Sequence, residues 1–599
     1  LLNISNGSFK NVENYNGTVN IKGGKFSYVG SNLNYRNGTI TIGEKDGIVD
    51  KDLIIINNGV KSYETGILNF YDGTIKGNPS IDGSVNDIET GYDIIKEIDN
   101  NLEIKYLGKV YSAQIGSTGT KYYTIQEAVD AVSNDDEVIK ILRELTTVSS
   151  TETIVIPNDK KIILDLNGYK INQSNETLIV NNGNLTIKDS SDSITDSNGY
   201  KSYNGSFISN KGKIIDNIGT LTIISGKFTS NIDIDKLLTN SGNMIIDGIY
   251  ISSSSRSSSN LIESSGTLTV NDGVFYGGYG LNNIIYNTSL GTMKINGGTF
   301  AFNTDAINII KNDGIAFIND CSVISTNNRK NTTFLYNSET GNMTIDKFHN
   351  ISLSALGKII NNFGTLTINN SEIIGEIDNS GSIEFSNVTV KKSTDRYGDV
   401  LNGVYNKDKG NIVINNGEYN IPINNMSSGL ISIKSGVFND SISNTNTGTI
   451  NLKAGTYTNG VTNTSSGTIN IGTKGDTNDS GELNVSIENP NITGDTYGLT
   501  ITNGKVNFYD GIISGTTDAV SGTINEIEDG YEIISGTTED GKKSKYLSRL
   551  PVAEVESTGD TYYTLQEAID AVTTKDETIK MLRNYTTLNT LDTITVAED

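Results

Sequence analysis

A five-residue phrase, glycine followed by an alternation whose third and fifth positions are apolar, constrains this chain more than any other feature. It starts at Gly17, Gly38, Gly183, Gly219, Gly242, Gly266, Gly291, Gly341, Gly364, Gly381, Gly410, Gly429, Gly448, Gly467 and Gly481. Most neighbouring starts lie 19 to 25 residues apart, the length of one coil of a parallel β-helix. Successive strand side chains point to opposite faces. Leu221 and Ile223 therefore share one face and Thr220 and Thr222 the other, and the apolar pair points inward. A turn follows, as in Asn296-Gly297-Gly298, built from residues that tolerate positive φ. Nine residues after the leading glycine an aromatic recurs: Phe26, Phe228, Phe275, Phe300, Tyr419, Phe438 and Tyr457. Stacked coils align these rings into a ladder, which predicts a core containing Leu221, Ile223, Phe228, Leu268, Val270, Phe275, Met293, Ile295, Phe300, Ile431, Ile433 and Phe438, with the intervening threonines exposed.

Only 35% of the 599 residues are hydrophobic while glycine numbers 63, so an elongated repeat suits the chain better than one globular core. The interval from Gly381 to Gly410 is long, which suggests loops extruded from one corner. The fold class expected is all-β: right-handed parallel β-helix modules, or β-solenoids, in tandem. A β-sandwich array also alternates, but it does not require the same phrase at each coil.

A longer repeat overlies the short one. Tyr122-Tyr-Thr-Ile-Gln-Glu-Ala-Val-Asp-Ala-Val132 returns as Tyr562-Tyr-Thr-Leu-Gln-Glu-Ala-Ile-Asp-Ala-Val572, and Asn69-Phe-Tyr-Asp-Gly73 returns as Asn507-Phe-Tyr-Asp-Gly511. The organisation read from it is the C-terminal part of one module over residues 1–105, a complete module over 106–545, and the N-terminal junction of a third over 546–599. Within the complete module, 106–172 is a helix-containing junction and 173–545 the β-helix. Thr124-Ile-Gln-Glu127 reads as a capping box opening a short helix from Gln126 to about Ser133, repeated from Gln566 to about Thr573. Its apolar positions Ile125, Ala128, Val129 and Val132 fall on one face, so the helix can cover the end of a coil stack, where open strand edges invite association.

That helix, followed by Ile154-Val-Ile-Pro157 and Ile162-Ile-Leu-Asp-Leu-Asn-Gly168, resembles the entry to pectate-lyase-like right-handed parallel β-helix domains. With its Phe-Tyr-Asp-Gly and Tyr-x-x-Gln-Glu-Ala phrases, the chain is similar to giant repetitive cell-surface proteins of Firmicutes. The resemblance covers nearly all 599 residues and implies a fold rather than an activity, since such helices carry lyases, hydrolases, tailspikes and adhesins alike.

Forty-six basic against 70 acidic residues give a formal charge of −24, which repels nucleic acid and anionic membranes. No run of about 18 apolar residues is present, so no membrane insertion is expected in this segment. The single cysteine, Cys321, makes no intramolecular disulfide and reads as a small residue partly inside a coil. His349, the only histidine, reads as a surface residue. Asp189, Asp192 and Asp196 follow a strand and could offer oxygen ligands to Ca²⁺, though a solvated loop is the commoner outcome. Gly277-Gly-Tyr-Gly-Leu-Asn282 resembles a calcium nonapeptide but occurs once, with Asn282 in place of Asp. No catalytic, cofactor-binding or metal residue is assigned, and no cofactor.

The Thr-x-Thr pairs are broken by Ile245, Glu384 and Lys294, so they do not form the flat array of an ice binder. The expectation is a non-catalytic extracellular structural stalk or adhesin of a bacterial cell surface, able to belong to a fibre. Its partners would be surface glycans or proteins of a host or neighbouring cell, or further copies of itself by head-to-tail or lateral association. The alternative is a polysaccharide-active lyase or hydrolase.

Overall fold

The computed structural model describes residues 1–599 apart from 32–37, 63–65, 90, 149–152, 174–175, 197–198, 231–234, 254–259, 278–280, 303–307, 326–328, 350–355, 395–399, 402, 478–482, 585–593 and 597–599. The chain divides into two compact units. Leu1–Met343 with His349–Gly357 form the first, and Thr344–Phe348 with Lys358–Asp599 the second. Both are parallel β-helices.

From residue 184 on, each repeated phrase of the first unit is a strand of one sheet, through Asn184–Lys188, Thr220–Ile223, Asn243–Ile246, Thr267–Val270, Thr292–Ile295 and Ile315–Ile318, all parallel and in register, while the phrases at Gly17 and Gly38 form Thr18–Ile21 and Thr39–Ile42 of a separate parallel sheet. A second sheet runs through Lys170–Gln173, Ser206–Ser209, Lys227–Ser230, Tyr250–Ser253, Val274–Gly277 and Thr299–Phe302. The third runs through Thr177–Asn181, Lys213–Asn217, Lys236–Asn240, Asn260–Ser264, Asn283–Asn287 and Asn308–Asn312. The second unit repeats the arrangement. Its first sheet includes Asn411–Ile414, Leu430–Ile433, Thr449–Leu452 and Thr468–Ile471, its second Gly417–Asn420, Val437–Phe438 and Thr456–Tyr457, and its third Ile377–Asn379, Val404–Asn406, Ile423–Asn425, Ile442–Asn444 and Val461–Asn463.

The phrase opens with glycine because coils approach each other closely there. A Cβ on Gly219, Gly242 or Gly266 would lie 2.1 Å from the carbonyl oxygen of the equivalent glycine one coil earlier, so no side chain fits. All twelve residues expected in the core are buried. The rings stack as expected: Phe275 on Phe300 at 4.8 Å, and Tyr419 on Phe438 at 5.0 Å followed by Tyr457 at 4.8 Å. The ladder is interrupted where Ile251 stands between Phe228 and Phe275. The threonines depart from expectation. Thr267 is exposed, but Thr220, Thr222 and Thr269 are half-buried, because neighbouring coils, about 4.8 Å away on either side, cover their flanks.

A second interior ladder closes the third sheet. Asn181 donates from Nδ2 to Asn217 Oδ1 at 2.7 Å, Asn217 to Asn240 at 2.7 Å, and Asn240 to Ser264 Oγ at 2.9 Å. In the second unit Asn362, Asn379, Asn406, Asn425 and Asn444 continue the same pattern at 2.8 to 3.2 Å. These amides also donate to turn carbonyls, as Asn444 does to Gly448 at 3.0 Å. The ladder thus gives buried turn carbonyls a second donor beside the backbone N–H of the next coil, as Thr468 N–H donates to Gly448, and satisfies the interior amides themselves.

Antiparallel hairpins end the parallel stacks. Leu102–Lys109 pairs with Thr74–Gly77 and with Tyr92–Asp99. Its counterpart Lys543–Arg549 pairs with Ile512–Gly515 and with Tyr531–Thr537. The helices that follow span Ile125–Ala131 and Leu565–Asp570, each with the expected capping box. They are the only α-helices among the described residues and are shorter than predicted. The first ends at Val132, which is extended (φ −63°, ψ 128°) and buries its side chain. Gln126 pairs with Val155 as a strand would, accepting from its N–H at 2.7 Å and donating to its carbonyl at 3.2 Å. Gln566 does the same to Thr595. The helix thereby closes the open edge of the third sheet's first strand, Ile154–Ile156.

Candidate functional site

The Phe-Tyr-Asp-Gly phrases build two related acidic corners. In the first, Phe70 fills the interior while Tyr71 donates its hydroxyl to Asp87 Oδ2 at 2.6 Å. Lys45 reaches the same oxygen at 2.7 Å and lies over the Tyr71 ring. Glu89 accepts from Asp46 N–H at 2.9 Å, and Asp72 Oδ1 accepts from the amides of Asp50 and Gly73 at 2.6 and 2.7 Å. Burial and the bond to Asp87 push the Tyr71 hydroxyl well above its usual range.

The second corner keeps the plan. Tyr509 bonds to Glu526, which pairs with Lys474 at 2.6 Å, and Gly475 N–H donates to Glu528 at 2.9 Å. Asp510 Oδ1 accepts from Ser486 and Gly511 at 2.5 and 2.8 Å. Burial pushes its carboxyl up to about 6 against those two amide bonds, with Asp476 and Glu528 adding to the rise. In both corners the carboxylates are engaged by loop amides, a tyrosine and a lysine. The arrangement ties residues 43–53 in one, and the amides of Gly475 and Ser486 in the other, back to the coil.

A third cluster lies on the outer face of the second unit's third sheet. Asp378 is almost fully buried, with Lys358 and Lys407 on its Oδ2 at 2.5 and 2.7 Å. Glu376 stands beside it, its carboxyl raised by burial and by Asp378. On the equivalent face of the first unit, an open groove of about 190 Å³ is lined by Lys213, Asp216, Thr239, Asn240, Ser241, Glu263 and Ser265. Its charges neutralise one another, Lys213 with Asp216 at 3.1 Å and Lys236 with Glu263 at 2.6 Å.

The structure separates the acidic residues singled out in the sequence. Asp189 is buried rather than solvated. Its Oδ1 accepts from the Gly168 amide, and its Oδ2 accepts from the Gly205 amide and the Ser191 hydroxyl. Asp196 holds the Tyr200 amide and the Tyr250 hydroxyl, and Asp192 is exposed. Among the described residues no three His, Cys, Asp or Glu side chains gather in a way that could hold a metal ion. Residues 278–280 of the Gly277–Asn282 segment lie outside the described residues. His349 is exposed, and Cys321 is buried with its thiol pushed up by desolvation and by Asp320.

Sequence reasoning did not find the asparagine ladder or the Glu376 and Asp378 cluster. The ladder had a signal: asparagine stands two or four residues before the leading glycine, as Asn217 before Gly219 and Asn444 before Gly448. The cluster had none, because its lysines come from the coil before and the coil after. No helix among the described residues is long and apolar enough to cross a membrane. Compared with protein-family models, with curated proteins and with solved structures, the chain matches none.

Proposed function

We propose that this chain is a non-catalytic structural stalk or adhesin of a bacterial cell surface, a segment of a tandem array of pectate-lyase-like β-helix modules of the kind carried by giant surface proteins of Firmicutes. The observation that carries the reading is how the polar groups are used. Interior amides run along the stack as a ladder, and the outward carboxylates of Asp72, Asp510, Glu263 and Asp378 are engaged by loop amides or by lysines of adjacent coils. A reacting centre instead needs carboxylates that converge on a substrate and stay open to it. Nearest-neighbour stacking lets each coil share both of its interfaces, so stiffness accumulates along a run. Corner loops are left to meet glycans or proteins of a host or neighbouring cell, or further copies of the chain.

The boundaries 1–105, 106–545 and 546–599 are the modules of this array. The test is incubation of the chain with pectins and host glycans, with and without Ca²⁺, alongside adhesion of coated beads to cells. Adhesion without turnover is expected. Turnover abolished by Glu376→Gln or Asp216→Asn would overturn the reading in favour of a polysaccharide-active enzyme.

A further inference from the structure

Asp378 carries its charge where water cannot reach it. It sits in the strand Ile377–Asn379 between two inward-facing residues, so alternation points it outward, yet it is 3% exposed. Lys358 of the preceding coil and Lys407 of the following coil both contact Oδ2, at 2.5 and 2.7 Å. Oδ1 is buried with no hydrogen-bond partner. Glu376, two residues earlier on the same face, sees Asp378 and both lysines, and its carboxyl sits above its usual range, first through burial and then through Asp378. Lys407 also lies over the Tyr405 ring, 5.3 Å from its centre. Lys358 has no such ring contact among the described residues. A desolvated carboxylate with one oxygen unpaired is costly.

We propose that Lys358 and Asp378 are a site of self-catalysed modification, joined by an amide between Lys358 Nζ and Asp378 Cγ, with Glu376 carrying the protons. A proton passes from the Lys358 ammonium to the Asp378 carboxylate inside the ion pair. The amine lone pair attacks Cγ, forming the C–N bond and a tetrahedral centre whose oxygen charge the Lys407 ammonium stabilises. Glu376 takes a proton from the nitrogen and delivers it to the departing hydroxyl. The C–O bond breaks, one water leaves, Glu376 is restored, and no group is oxidised or reduced. The product replaces a buried charge with a neutral amide and staples two neighbouring coils in a chain whose single cysteine makes no disulfide. The inference does not depend on the stalk reading.

The test is the intact mass of the purified full chain under denaturing conditions, followed by peptide mapping. The expected result is a chain lighter by one water, with a branched peptide joining the Lys358 and Asp378 segments. Lys358→Ala and Asp378→Ala should each restore the full sequence mass. Lys407→Arg keeps the charge and should keep the cross-link. Glu376→Gln should leave the strand signal in circular dichroism unchanged while the branched peptide is lost. A wild-type chain at its full sequence mass would overturn the proposal. So would a water loss that persists in Lys358→Ala or maps to an Asn-Gly or Asp-Gly succinimide. A cross-link formed to the wild-type extent in Glu376→Gln would remove Glu376 from the mechanism.

Discussion

The two units build the same coil at two sizes. In the first, the third-sheet strands carry two inward aliphatic residues before the ladder position: Ile214 and Ile215 before Asn217, Leu237 and Leu238 before Asn240, Ile309 and Ile310 before Asn312. In the second, after Asn362 with its Ile359 and Ile360, they carry one: Val404 before Asn406, Ile423 before Asn425, Ile442 before Asn444. Successive ladder residues are 23 to 25 apart from Asn217 to Asn337, and 19 apart from Asn406 to Asn463. A longer circumference encloses more interior, and the added aliphatic fills it, since protein interiors tolerate few voids. The ladder amide and the close-approach glycine are kept at both sizes. Coil size is therefore free to vary while the corner that buries backbone is not.

The largest test of this comparison is on the ring ladder. Phe438 is sandwiched between Tyr419 and Tyr457, whereas Phe228 has a ring, Phe207, on one side and Ile251 on the other. Phe438→Ala should cost about 3 to 5 kcal/mol and Phe228→Ala somewhat less, because ring pairs add to burial alone. Urea melts of the two variants check this, and equal losses would show that stacking contributes nothing beyond area.

The asparagine ladder should respond alike in both units. Asn217→Ala and Asn444→Ala each break the ladder, removing one donor from turn carbonyls and one acceptor from the preceding asparagine, at a cost of about 1 to 3 kcal/mol. A much smaller loss in the 19-residue coils would mean that water replaces the amide there.

The two acidic corners share a response that pH can read. The raised Asp510 carboxyl means that the folded state holds its proton more tightly than the unfolded state, whose value is near 3.8. Protonation therefore stabilises the fold. The contribution is fully present below about 3.8 and is lost as pH rises through about 6, since stability falls with pH where the native state binds more protons. Asp510→Asn should flatten that part of the melting profile. Asp72, raised in the same direction, predicts a like effect for Asp72→Asn. The smallest effect is expected at Thr267, exposed on the first sheet, where Thr267→Ala should change stability by no more than about 0.5 kcal/mol.

Much of this was legible in the sequence because strand alternation and glycine spacing are local. Leu221, Ile223 and the aromatic nine positions after each leading glycine announce the inward face, and Thr124 with Glu127 announces the helix. The corners were legible only as repeated words. Phe-Tyr-Asp-Gly recurs, but nothing local indicates that Tyr71 reaches Asp87 or that Asp72 caps the amide of Asp50. Asp189 was misread as solvated for the same reason, since Gly168 and Gly205, which it holds, come from other turns. The Asp378 cluster lies furthest from view, because its partners are set by coil length, which the sequence states only through loops of irregular size.

The most direct test of the coil register is a distance. Thr186, Thr222, Ile245, Thr269, Lys294 and Phe317 face one another in turn across successive parallel strands. Spin labels at Thr186→Cys and Phe317→Cys, in a chain carrying Cys321→Ser, should lie five strand spacings apart, about 24 Å. Pulsed dipolar spectroscopy should return one narrow distribution near that value. A broad distribution, or a centre displaced by more than two strand spacings, would contradict the parallel β-helix register.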